Sequence, residues 1–235
     1  MFDNVGRIIE PSKLKLEILR MSNDDALTIN PMTEDGAALL AVLPVLPVYE
    51  GIVLSDVRVI QSSADAVQAL AVMMATDVIG FDTESKPTFN KGELSDGPHL
   101  IQLAANDVVF LFPIGRGGVP PSFRAALKAI LESPEIMKVG FGLRDDVKRL
   151  QQKLGIESAH TLDLSRALRQ DGRNDVGAKS AVARFFGQRL RKSKKTSTSN
   201  WANSPLTERQ ILYAADDAQV ALRIYRLWQK AAEID

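Results

Sequence analysis

The stretch Val78-Ile79-Gly80-Phe81-Asp82-Thr83-Glu84 constrains this chain more than any other. Val78, Ile79 and Phe81 lead into an Asp-x-Glu pair, the pattern of a buried strand that ends in two carboxylates. Successive strand side chains point to opposite faces. Asp82 and Glu84 therefore project to the same side, about 6–7 Å apart along the strand. Two anions aimed at one place repel, by roughly 4 kcal/mol at 4 Å and an effective dielectric of about 20. Two readings fit this segment alone. Either one carboxylate caps a turn while the other lies in solvent, or both share a cation. The second reading requires further carboxylates downstream.

The segments around the strand alternate between strand and helix. Val57 to Ile60 reads as a short strand, and Ser62 or Ser63 caps a helix over Ala64 to Met74 with Val67, Leu70 and Met74 on its apolar face. His99 to Ala104 and Val108 to Phe112 read as an antiparallel hairpin. A helix follows from Pro120-Pro121 to Leu131, then a strand from Met137 to Phe141, then a helix carrying Val147, Leu150 and Leu154 that stops at Gly155. Thr161 to Leu164 is a last short strand, and helices follow near 164–169 and 178–186. Thr207 with Gln210 forms a capping box for a final helix reaching about Lys230. This order predicts an α/β domain over residues 55–235, a mixed five- to six-stranded sheet flanked by helices. Residues 1–54 read as an N-terminal extension, with an ambiguous strand or helix at Leu14–Leu19 and a helical patch from Gly36 to Leu43.

The chain has 235 residues, enough to bury a core without covalent staples. It has no cysteine, which excludes disulfides and thiolate zinc sites. No apolar run approaches the roughly 18–20 residues of a membrane helix, and the N-terminus lacks a secretion pattern. The expectation is a cytoplasmic protein, or a nuclear one in a eukaryotic cell, without a membrane partner. Net charge is zero, yet no acidic residue lies between Asp175 and Glu208, where Arg191, Lys192, Lys194 and Lys195 cluster. The polar stretch from Arg191 to Asn200 reads as a mobile basic loop.

Further carboxylates do appear. Asp145 and Asp146 sit in the first turn of the helix after the Met137–Phe141 strand, where a dipole contact is the ordinary alternative. Tyr213 and Asp217 are four residues apart on one helix face, with Ala214, Ala215 and Ala218 leaving room around them. Asp82, Glu84, Asp146 and Asp217 offer four hard oxygen donors, a set suited to magnesium or manganese rather than zinc. Two such ions can activate water and neutralise a phosphodiester undergoing hydrolysis. Tyr213 can position the attacking water. A basic segment beside such a site suits the phosphate backbone. Trp201 either stacks on a base or packs at the start of the last helix. His99 and His160 read as structural histidines.

The strings Phe81-Asp82-Thr83-Glu84, Val139-Gly140-Phe141-Gly142-Leu143-Arg144-Asp145-Asp146 and Tyr213-Ala214-Ala215-Asp216-Asp217-Ala218 occur in this order. With Leu100-Ile101-Gln102-Leu103, Thr198-Ser199-Asn200-Trp201 and Pro205-Leu206-Thr207, they resemble the DEDD superfamily of 3′–5′ exonucleases, in the subclass with a tyrosine in its last motif. Werner-type exonuclease domains are the nearest likeness and ribonuclease D a more distant one; the resemblance covers about residues 55–230. It implies a ribonuclease-H-like fold and release of nucleoside 5′-monophosphates from the 3′ end of DNA, or of RNA in the ribonuclease D manner. It implies two Mg2+ or Mn2+ ions, Asp82 bridging both, Glu84 and Asp217 on the first, Asp146 at the second, and Tyr213 orienting water. The family's spacing favours Asp146 over Asp145. Nucleic-acid contacts are expected from Thr83, Arg191, Lys192, Lys194, Lys195 and Trp201. Ser85 departs from the Werner-type pattern, which has tryptophan there. A non-catalytic nucleic-acid-binding module on the same fold is the alternative of another class, and would lack one or more of these ligands.

Overall fold

Val78–Glu84 is the central strand, β2, of a six-stranded sheet in a computed structural model that describes residues 46–88, 96–115, 118–170 and 174–233. The chain divides into a unit Met1–Pro47 and a unit Val48–Asp235. The expected elements at Leu14–Leu19 and Gly36–Leu43 lie outside the described residues. In the larger unit, β1 (Val57–Val59) precedes α1 (Ser63–Met74) and β2. Strands β3 (Leu100–Ala105) and β4 (Val108–Pro113) lead to α2 (Pro121–Leu131), β5 (Met137–Gly140) and α3 (Leu143–Leu154). Strand β6 (Thr161–Asp163) is followed by α4 (Leu164–Ala167), α5 (Ala178–Phe186), α6 (Lys194–Ser197) and the long α7 (Glu208–Ala232). The sheet order is β1-β4-β3-β2-β5-β6. Strand β2 pairs antiparallel with β3, with Asp82 opposite Gln102, and parallel with β5, with Gly80 opposite Val139. The expected mixed sheet is present with six strands.

The sheet separates two apolar layers, and the alternation along β2 assigns its side chains between them. Val78 joins the layer with Ala214, Ala215, Ala218 and Val220 of α7. Ile79 and Phe81 join the layer with Ala66 of α1, Leu127 of α2 and Leu143 of α3. By the same period of two, Gly80, Asp82 and Glu84 lie on the α7 side, and Thr83 lies on the α3 side.

The approach of α7 to β2 is set by small residues. Ala214, Ala215 and Ala218 are fully buried. A Cβ on Gly80 would stand 2.0 Å from the Ala218 carbonyl oxygen, so helix backbone rests directly on strand backbone here. The helix begins with the expected capping box: Gln210 N–H donates to Thr207 Oγ1 at 3.3 Å, and Thr207 N–H donates to Gln210 Oε1 at 3.1 Å.

Two expectations fail. Helix α1 buries Ala66, Ala69 and Met73, whereas Val67 and Met74 are exposed. The helix packs on α2, and alanines permit a closer approach than the larger side chains one position further on. The stretch expected as a mobile loop holds the helical turn α6, whose Thr196 N–H donates to the Ser193 cap and whose Thr196 side chain is buried.

Gly80→Ala is expected to lower stability by about 1–3 kcal/mol, the ordinary penalty of overpacking, because neither backbone has a rotamer with which to yield. Urea unfolding of the two proteins measures it.

Candidate active site

Each acidic residue reaches the site by a different route. Strand alternation turns Asp82 and Glu84 toward α7, and the Gly80–Ala218 contact brings the adjoining Asp217 over them. Asp146 comes from the first turn of α3, on the other side of β2. It meets Thr83 there: Thr83 Oγ1 donates to Asp146 Oδ1 at 2.5 Å. Thr83 N–H also donates to Asp82 Oδ1 at 2.9 Å. Asp145 is exposed, so of the two neighbours it is Asp146 that faces the site.

The electrostatics record the gathering. Burial, then Asp217 and Asp146, push the Asp82 carboxyl well above the usual carboxylate range. Burial, then Asp82 and Asp217, push Glu84 up to about 9. Burial also raises Asp146, against the Thr83 hydrogen bond, and raises Asp217, against the neighbouring Lys192. Tyr213 is pushed up to about 12 by burial and by Asp217, so its phenol stays a proton donor at any ordinary pH.

One cation already stands among these groups. Lys192 Nζ lies 2.8 Å from Asp217 Oδ1 and 5.8 Å from the centre of the Tyr213 ring. The turn around α6 holds it there. Trp201 Nε1 donates to Ser197 O at 3.1 Å, and Gln210 Nε2 donates to Ser199 Oγ at 3.0 Å. Trp201 is 1% exposed and its ring centre lies 6.0 Å from that of Tyr213. Trp201 therefore packs beneath the site and presents no free face to a base, which corrects the stacking expectation. Arg191, Lys194 and Lys195 are exposed along the same turn.

The donor set fits a hard divalent cation in its chemistry: four buried hard-oxygen carboxylates, with an ammonium already paired to one of them. Among the described residues, no three acidic or histidine side chains are arranged to hold one ion as they stand. Asp217 is engaged by Lys192 and Asp146 by Thr83. The histidines stand apart in structural roles. His99 Nδ1 accepts from Lys86 N–H at 3.1 Å, and His160 Nδ1 lies 2.9 Å from Pro134 O.

Two features had no sequence signal. Asp216 faces away from the cluster and accepts from Ile52 N–H at 2.8 Å, across 164 residues of sequence. A Cβ on Gly51 would lie 2.0 Å from Asp216 Oδ1, so glycine makes room for this contact. The segment is further tied by Tyr49 N–H to Arg189 O at 3.1 Å and by Arg223 to the Tyr49 hydroxyl at 2.7 Å. Lys192 as the partner of Asp217 was the other: only its membership of a basic run was visible.

Comparison with known proteins identifies the family and the fold. Residues 57–232 match the 3′–5′ exonuclease family, and the chain belongs to it. Over 152 residues it is 32% identical to the bifunctional 3′–5′ exonuclease/ATP-dependent helicase WRN of Mus musculus, a match covering 64% of this chain and 11% of that protein. Over 129 residues it is 32% identical to ribonuclease D of Gluconacetobacter diazotrophicus, covering 54% of this chain and 32% of that protein. Among solved structures, the EXO domain of Aedes aegypti Nibbler superposes with a TM-score of 0.65 at 26% identity, covering 77% of this chain and 92% of that one. The chain thus spans only part of the curated relatives it matches, and its mixed sheet with flanking helices is ribonuclease-H-like. No helix among the described residues is long and apolar enough to cross a membrane.

The carboxyl groups carry a pH signature. Glu84 binds its proton more tightly folded than unfolded, so the folded state holds more protons between about 4.5 and about 9. Stability of the metal-free protein therefore falls as pH rises through that window. Thermal melts in chelator are expected to show Tm dropping from pH 5 to pH 9. At pH 8, Glu84→Gln removes the cost of burying and protonating this carboxyl and is expected to raise the metal-free Tm by about 2–4 °C for each kcal/mol of that cost.

Proposed function

We propose that the chain is a divalent-metal-dependent 3′–5′ exonuclease that hydrolyses phosphodiester bonds at the 3′ end of DNA and releases nucleoside 5′-monophosphates. The observation that carries this reading is the gathering of Asp82, Glu84, Asp146 and Asp217 at the end of β2, where burial raises all four and Asp217 and Asp146 raise Asp82 and Glu84 further, beside a tyrosine held protonated. Family membership supports it. Tyr213 on the last helix is what the tyrosine subclass of DEDD enzymes requires. On this reading the catalytic domain occupies residues 55–235 and residues 1–54 are an extension to it.

Asp82, Glu84 and Asp217 would hold one Mg2+ or Mn2+ ion, and Asp82 with Asp146 a second. When bound, such a pair supplies an activated water and charge compensation for the phosphodiester. The protein's own groups do the rest. Asp82 would be the ligand shared between them, as the strand carboxylate on which Asp217 and Asp146 act most strongly after burial. The Tyr213 phenol, neutral throughout the working pH range, donates a hydrogen bond and so orients an attacking water. Lys192 and the exposed Arg191, Lys194 and Lys195 attract the phosphate backbone, and Thr83 sits between the two strand carboxylates. Backbone attraction of this kind weakens as salt rises.

RNA as the polymer is a second reading, favoured by the ribonuclease D match. Selection between the two rests on a contact to the 2′-hydroxyl. Matched DNA and RNA oligonucleotides, labelled at the 5′ end, are to be digested with magnesium or manganese. The DNA reading expects a ladder shortening from the 3′ end of DNA, with Asp82→Ala slower by at least about a hundredfold. Equal rates for wild type and Asp82→Ala would refute the site. Preference for RNA would establish the second reading, and digestion of neither would leave a binding module.

A further inference from the structure

Lys192 is the one group among the described residues that meets both ends of the last motif, Asp217 by charge and Tyr213 by its ring. Its side chain is 30% exposed and that of Asp217 is 8% exposed. The lysine is therefore the more exposed of the two, and both line one cavity with Arg191, Arg209 and Tyr213. The lysine backbone leads into the Ser193-capped turn, which Trp201 braces through Ser197 and which Gln210 fastens to α7 through Ser199. A cation so held cannot wander far when its partner is taken. Asp217 is turned to the lysine, and among the described residues no three acidic or histidine side chains are grouped to hold one ion.

We propose that Lys192 is an exchangeable counter-ion: it occupies Asp217 while the site is empty of metal, yields that carboxylate when a divalent cation enters, and then presents its ammonium to the phosphate of the bound nucleotide. The proposal rests on the metal-dependent reading above. It gives one side chain two opposite effects. Toward the metal Lys192 is a competitor, because binding must break its charge-assisted contact with Asp217. Toward the nucleotide it is a partner, because the freed ammonium, the more exposed of the two groups, is open to an arriving phosphate. A lysine that merely stabilised the fold would weaken both events when removed. Metal loading and nucleotide binding thereby become coupled, since each ion that enters converts an internal ion pair into an external anion contact.

The test is calorimetric. Mn2+ alone is titrated into chelator-treated wild type and Lys192→Gln, and thymidine 5′-monophosphate is then titrated into the Mn2+-loaded proteins. The expected result is Mn2+ binding about tenfold tighter in Lys192→Gln, equivalent to about 1.4 kcal/mol, with the nucleotide about tenfold weaker. Lys192→Arg keeps the charge and is expected to restore nucleotide binding. In an Asp217→Asn background, Lys192→Gln is expected to leave Mn2+ affinity unchanged, because the contact it removes is already gone. Near-ultraviolet circular dichroism shows whether each variant retains its packing, and Lys192→Met, which removes the charge and keeps the length of the side chain, carries the test if Lys192→Gln does not fold. Unchanged or weaker Mn2+ binding in Lys192→Gln overturns the proposal while leaving the metal site standing. Absence of Mn2+ binding by the wild type overturns the metal reading and this proposal together.

Discussion

The arrangement depends on one close contact, the backbone of α7 seated on β2 where Gly80 has no side chain. With 2.0 Å between an added Cβ and the Ala218 carbonyl oxygen, no other residue leaves the helix where it is. The consequence is functional as well as steric. Asp217 precedes Ala218, and Asp82 follows Gly80 by one strand period, so the packing contact and the meeting of carboxylates are two readings of one register. The buried alanines of α7 extend the contact along the helix. The capping box at Thr207 and Gln210 fixes where the helix begins, and Gln210 also grips the turn that delivers Lys192.

Electrostatics then act against the packing. The fold places four carboxyl groups in a poorly solvated space, where burial raises all of them and Asp217 and Asp146 raise Asp82 and Glu84 further, and offers partial relief through local partners. Lys192 neutralises Asp217, Thr83 donates to Asp82 through its N–H and to Asp146 through its hydroxyl. Thr83 can serve both because strand alternation sends its side chain toward α3 while its backbone stays beside Asp82. Such a cluster favours a cation strongly, and its raised proton affinities express the same pull in the absence of one. Asp216 illustrates the contrast. One position from Asp217, it turns away to Ile52 and closes the start of the domain against α7.

Much of the fold was legible in the residues because short-range rules govern it. The Asp-x-Glu strand, the hairpin around Asn106-Asp107, the glycine stop at Gly155 and the cap at Thr207 all follow from alternation, turn chemistry and capping. The misread elements are those where packing overruled composition. In α1, Val67 and Met74 are the more apolar residues, yet Ala66 and Ala69 are buried because they allow α2 to come close. In 191–200, a composition of Ser, Thr and Lys suggested a solvated loop. The Ser193 cap and the Trp201–Ser197 hydrogen bond instead turn it into a folded clasp. The strap from Tyr49 to Ile52 had no local signature, since its partners Arg189, Asp216 and Arg223 are distant in sequence.

On the reading proposed above, the carboxylates assembled at the end of β2 form a cation site. Crystals grown with Mn2+ and measured at the manganese absorption edge test it most directly. The account predicts an anomalous peak bonded to Asp82 together with Glu84 or Asp217, with Lys192 withdrawn from Asp217. Manganese found only on surface carboxylates, with Lys192 still paired to Asp217, would contradict it.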